Sequence, residues 1–205
     1  AIRKKSHGIG EYHTDNADRD NNGSDWRGKY PIIRFAIYLQ DHKKNGGGPL
    51  IIKKSHKKII PNWRLRALNQ EVFGWLNGNS TYVATEIGDI VLWNLRTTHA
   101  GTGQYFKYFF KKPVSARLAK HIPKMFYSQS IEDRYYITST FGLEGNHLNN
   151  YLKYLKTRRY KIEQWKIDNH KSIDIQKMKD KGIKYYNMKK EILNDLSSNL
   201  IQLRD

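Results

Sequence analysis

The chain has no cysteine among its 205 residues, which excludes disulfides and thiolate metal sites and leaves histidine and carboxylate to hold any metal. Acidic residues are scarce: 19 Asp and Glu stand against 37 Lys and Arg, a formal net charge of +18. Such an imbalance raises nucleic acid, a membrane surface or an anionic small molecule as partners. Much of the basic charge, however, lies in stretches such as "KYLKTRRYKIEQWK" and "KMKDKGIKYYNMKK", where it alternates with apolar residues as on solvated helix faces. Nucleic-acid binding is therefore disfavoured as the main task. Long hydrophobic runs are missing as well, and the opening residues carry no signal-peptide pattern, so the expectation is a cytoplasmic protein with no membrane partner. Because the chain opens on Ala1 and reaches its first candidate ligand at His13, it is expected to be N-terminally incomplete.

Aromatic residues are plentiful. Five Trp, fourteen Tyr and seven Phe, within 38% hydrophobic content, suffice for one sizeable core. Residues 31–41, "PIIRFAIYLQD", read as a strand with Phe35, Ile37 and Leu39 on one face and Arg34, Ala36, Tyr38 and Gln40 on the other. After the glycine-rich "KNGGGP" a second strand at residues 50–53 makes the pair a candidate hairpin. "TYVATEI" and "DIVLWNL" are further β-like runs parted by a Gly-Asp turn, and "RYYITSTFG" is another, rich in aromatic and β-branched residues. Residues 61–77 suit a short helix or irregular packing equally well. Short strands with glycine turns predict a sandwich or jelly roll. From His147 the spacing turns helical, with Leu148, Tyr151, Leu152 and Leu155 recurring at three and four, and residues 171–205 read as a helical appendix. The expected division is a mainly β core over residues 1–145 and a basic helical segment over 146–205.

Two metal readings compete in "EYHTDNADRD" and the residues after it. Asp18 to Gly23, "DRDNNG", matches the opening of a calcium loop, but the twelfth position is Lys29, where a bidentate glutamate is required, and a strand follows in place of a helix. The alternative starts from His13 and Asp15. Residues i and i+2 of a strand share a face, so an imidazole and a carboxylate can take adjacent corners of an octahedron. A third ligand is available in "GDIVLWNLRTTHAGTG", where His99 follows a strand that begins at a Gly-Asp turn. Two histidines and one carboxylate leave positions open for dioxygen and a chelating co-substrate.

At these residues the chain resembles the phytanoyl-CoA dioxygenase family of iron(II)- and 2-oxoglutarate-dependent oxygenases. "YHTDN" is similar to the family's His-x-Asp segment, "RFAIYLQDHKKNGGGPLIIKKSHK" to its strand, "NG-x-L" and "PGSH" block, and "GDIVLWNLRTTHAGTG" to its "GD…H-x-SG" block. The blocks occur in order and cover residues 11 to about 142. Lys53 and Lys54 depart from the pattern, standing where the family has Pro and Gly before Ser55 and His56.

The resemblance implies a double-stranded β-helix core, jelly-roll or cupin-like, followed by C-terminal α-helices. It implies His13, Asp15 and His99 as iron ligands, with 2-oxoglutarate and dioxygen as co-substrates and a small-molecule substrate. An arginine must hold the distal carboxylate of 2-oxoglutarate, which a guanidinium does with two parallel hydrogen bonds. The expected spacing after His99 is filled by "QYFKYFFKKPV", so we infer an insertion over residues 104 to about 133, after which Arg134 opens a strand; Arg117, closer to His99, is the alternative. Tyr38 and Arg34 share a strand face that could line the co-substrate pocket. His56 reads as a structural residue of its turn, and His42 and His121 as solvated loop residues. In relatives that halogenate, a small residue replaces the carboxylate, so an intact Asp15 favours hydroxylation. A non-oxidative cupin-like metal protein and a basic nucleic-acid-binding module are the competing classes.

Overall fold

The computed structural model describes residues 2–3, 12–16, 26–45, 48–57, 79–101, 104–106, 121, 123–129, 133–158, 162–163 and 175–197. The calcium-like Asp18 to Gly23, the ambiguous stretch at 61–77 and Arg117 lie outside the described residues. The chain divides into two compact units, Ala1–His147 and Leu148–Asp205.

The first unit is mainly β. Its strands are β1 (Ile2–Arg3), β2 (Ile32–Tyr38), β3 (Pro49–Ile52), β4 (Ser80–Tyr82), β5 (Ile90–Asn94), β6 (His99–Gly101), β7 (Gln104–Phe106), β8 (Tyr127–Gln129) and β9 (Arg134–Gly142). One antiparallel sheet has the order β1-β9-β2-β5, a second β4-β3-β6, and β7 pairs with β8. An antiparallel bridge from His13 to His99 adds a short segment on the free side of β6. With the β7–β8 pair set aside, the strand segments in chain order alternate between two sheets, except that the consecutive fourth and fifth share the second: the orders are first-eighth-third-sixth and second-seventh-fourth-fifth. That alternation is the double-stranded β-helix, a jelly-roll fold whose two sheets face one another across the core.

β2 and β9 form because β-branched and aromatic residues suit a pleated surface, and they pair in register from Ile32↔Gly142 to Tyr38↔Tyr136. Alternation alone leaves the inward face of β2 open, and the structure settles it. Ile32 and Ala36 are fully buried and Tyr38 and Gln40 nearly so, whereas Ile33 and Leu39 are exposed. The face carrying Arg34, Ala36 and Tyr38 therefore looks into the barrel. Opposite it, Leu50, Ile52 and Ala100 of the second sheet are buried.

The expected β2–β3 hairpin is not formed, since the two strands belong to different sheets. The carboxylate of Asp41 caps a short helix, α1 (His42–Asn45), by accepting from the N–H groups of Lys43 (2.8 Å) and Lys44 (3.1 Å), and the chain leaves the first sheet there.

In the second unit the described helices are α2 (Asn146–Lys156, beginning at the boundary), α3 (Ile175–Asp180) and α4 (Met188–Ser197). Leu148, Tyr151, Ile162 and Ile192 are buried, and Lys156 pairs with Glu191 at 3.2 Å. Among the described residues, no helix is long and apolar enough to cross a membrane.

Candidate metal centre and co-substrate pocket

The residues 12–16 segment is tied to the ends of β5 and β6 by backbone hydrogen bonds. His13 and His99 exchange N–H···O bonds at 2.9 Å in both directions, and the N–H of Asp15 donates to the Leu95 carbonyl at 2.9 Å. His13 and Asp15, two residues apart, thereby meet His99. Candidate ligand atoms of all three lie within 4.8 Å of one another. Nε2 of His99 is 3.4 Å from Oδ2 of Asp15, and Nε2 of His13 is 3.8 Å from Oδ1. Metal–ligand bonds of about 2.1 Å at right angles separate adjacent ligand atoms by roughly 3 Å, so a small contraction around a cation suffices.

The surroundings fix the orientation of these groups. Nδ1 of His99 lies 2.9 Å from the Thr97 carbonyl, an acceptor that holds the proton on Nδ1 and leaves Nε2 with its lone pair toward Asp15. Trp93 packs its ring against His99, centroids 5.5 Å apart. Asp15 is steadied from the other side, where Nη1 of Arg34 donates to Oδ2 at 2.6 Å and its Nε donates to Thr140 Oγ1 at 3.1 Å. The Ser55 hydroxyl accepts from the N–H of Thr98 and donates to the Ile52 carbonyl, both at 2.8 Å, fastening the "KKSH" turn beside His99. With two imidazoles and a carboxylate, partly buried, the residues fit a hexacoordinate iron(II).

A second constellation lies further along the inward face of β2. Tyr38 sets its ring edge against His42, centroids 4.7 Å apart, and stands 6.1 Å from Tyr136, its register partner on β9. Arg134, the first residue of β9, is buried and close enough to His42 to act on its charge. Gln40 ties this end together, donating to the Asp133 carbonyl and accepting from the N–H of Tyr135.

His42 corrects the sequence reading. Far from being a solvated loop residue, it is 1% exposed, because α1 turns its imidazole into the barrel, where Nδ1 meets Thr85 Oγ1 at 2.6 Å. Burial first and Arg134 second lower its pKa to about 4, against a smaller opposing pull from Asp41. Its polar neighbours in sequence concealed this; the only available signal was its place four residues beyond Tyr38.

Sequence reasoning also missed a cleft of about 440 Å³ whose lining includes Trp26, Lys29, Tyr30, His56, Lys57 and Arg96. Arg96 is buried between the rings of Trp26 (5.4 Å) and Tyr30 (4.5 Å) and donates to the carbonyls of Arg27 and Gly28. It follows Leu95 in the chain, the residue whose carbonyl accepts from the N–H of Asp15. His121 is exposed.

No protein-family model and no curated protein matches the chain. Among solved structures it is similar to AviO1 from Streptomyces viridochromogenes Tue57 (14% identity over 71% of this chain and 48% of that one, TM-score 0.44). It is also similar to HygX from Streptomyces hygroscopicus with nickel and 2-oxoglutarate bound (18%, 69% and 52%, TM-score 0.41). A third is EctD from S. alaskensis with 2-oxoglutarate and 5-hydroxyectoine (10%, 68% and 40%, TM-score 0.40). The chain spans about half or less of the length of these proteins.

Proposed function

We propose that the chain is an iron(II)- and 2-oxoglutarate-dependent dioxygenase of the phytanoyl-CoA dioxygenase type that hydroxylates a C–H bond of a small organic substrate. The observation that carries this reading is the convergence of His13, Asp15 and His99 at one end of a double-stranded β-helix. Nε2 of each histidine and the Asp15 carboxylate would hold the metal, which when bound supplies the redox chemistry that couples decarboxylation of 2-oxoglutarate to hydroxylation.

The protein's own residues do the positioning. Thr97 fixes the tautomer of His99 and Arg34 the plane of the Asp15 carboxylate. Arg134, with Tyr38 beside it, would receive the distal carboxylate. The cleft beside Leu95 in the chain would take the substrate, and Lys29, Lys57 and Arg96 among its described lining residues favour an anionic one. Residues 1–145 would form the oxygenase core and 146–205 a helical appendix, working in the cytoplasm.

An anaerobic titration with iron(II) and then 2-oxoglutarate tests the reading through the visible charge-transfer band of the chelate. The band should form in the parent chain, vanish in His99→Ala, weaken in Arg134→Ala and survive in Arg117→Ala. Stoichiometric iron binding without a band would sink it in favour of a non-oxidative cupin-like metal protein.

A further inference from the structure

His42 is fully buried, yet its Nε2 has no hydrogen-bond partner among the described residues. Buried polar atoms are rarely left so, since the unmade bond costs its full desolvation penalty. The other nitrogen is committed to the Thr85 hydroxyl, and the Thr85 carbonyl accepts from the His42 backbone N–H at 2.8 Å, so this corner of the barrel holds the ring in one orientation. The Thr85 hydroxyl can donate to Nδ1 or accept from it, and the tautomer in which it donates leaves Nε2 carrying the proton. In that tautomer the imidazole is a neutral donor at Nε2, and the positive field of the buried Arg134 beside it selects an anionic acceptor over a neutral one.

The position of this donor suggests which anion. Arg34, Ala36 and Tyr38 line one inward face of β2; the first is paired with Asp15, and the last touches His42. Ala36, fully buried, keeps the middle of that face low. A ligand chelated by its keto-acid end near Asp15 would extend along this face toward His42 and Arg134.

We propose that Nε2–H of His42 donates to the distal carboxylate of 2-oxoglutarate, sharing it with Arg134 and so making the co-substrate pocket selective for a dicarboxylate. This inference rests on the oxygenase reading above.

The test compares 2-oxoglutarate with 2-oxopentanoate, which has the same keto-acid end and no distal carboxylate. Affinities of both for the iron(II)-loaded full chain are measured anaerobically, through the charge-transfer band, in the parent, His42→Phe and His42→Gln. One hydrogen bond to a charged group implies that His42→Phe weakens 2-oxoglutarate by roughly tenfold or more. The same change should leave 2-oxopentanoate untouched, and His42→Gln, which restores an N–H, should recover most of the loss. Equal weakening of both ligands, or of neither, in a parent that prefers 2-oxoglutarate would overturn the role of His42 while leaving the oxygenase reading intact. A parent with no band would remove both.

A second measurement needs no substitution. In the zinc(II)-loaded, ¹⁵N-histidine-labelled parent, saturating 2-oxoglutarate should move the Nε2–H resonance of His42, and 2-oxopentanoate should not. An unmoved resonance with 2-oxoglutarate bound would also overturn the proposal.

Discussion

Two imidazoles show how a single neighbour decides what a histidine does. In His99 the Thr97 carbonyl accepts from Nδ1–H and leaves Nε2 its lone pair; in His42 the Thr85 hydroxyl occupies Nδ1 inside a site that disfavours charge. The second case has a consequence for stability. The unfolded imidazole binds a proton near pH 6.5, whereas the folded one resists until about pH 4. Between those values the unfolded state holds more protons, so stability falls as the pH drops through the window and is constant above it. The loss from pH 7 to pH 5 is about 2 kcal/mol by this linkage. Urea unfolding at the two pH values should show that loss in the parent and a clearly smaller one in His42→Gln. Identical slopes in the two proteins would mean that His42 titrates normally when folded.

At the scale of the elements, two turns around β3 bear strain of different kinds. A Cβ placed on Gly48 would lie 2.5 Å from the Val83 carbonyl oxygen and 3.0 Å from the Tyr82 ring. The first of these is backbone that also flanks the Val83-to-Pro49 hydrogen bond, so it cannot swing aside. Gly48→Ala should cost about 1–3 kcal/mol, read from denaturant midpoints, with the β3–β4 pairing loosened. Lys54 takes φ +61°, the left-handed region that glycine enters freely. Lys54→Gly should therefore raise stability by about 1 kcal/mol, and a lower melting temperature would count against strain at this turn.

These elements also show what was readable beforehand. β9 was legible to the residue because nothing in "RYYITSTFG" competes with a strand. The inward face of β2 was not, since both of its faces carry large apolar side chains and only the sheet opposite decides between them. The false hairpin came from treating nearness in sequence as pairing, when the Asp41 cap diverts the chain to the second sheet. The sequence could place His13 and Asp15 on one face; that His99 lies against them depends on a bridge between segments far apart in the chain, which no local pattern encodes.

Over the whole molecule the dominant feature is charge. Described carboxylates form ion pairs, Asp15 with Arg34, Asp41 with Lys44, Glu86 with Lys43 and Glu191 with Lys156. Exposed pairs such as Lys43 with Glu86 add little to stability, because water and salt screen them. With 37 basic and 19 acidic residues, 37 − 19 = 18 cations have no acid to pair with one-to-one, and their mutual repulsion opposes the compact state. That repulsion reaches about 30 Å at 0.01 M salt and about 8 Å at 0.15 M. Adding sodium chloride over this range should therefore raise the melting temperature, by about 2–4 °C for each 1 kcal/mol of repulsion removed in a protein of this size. Screening acts on the net field and leaves the pH-linked contribution of His42 in place, because a buried group near a buried arginine is little affected by mobile ions. A melting temperature that falls with salt would show instead that local ion pairs outweigh the net field, and the excess of lysine and arginine would then be neutral for folding.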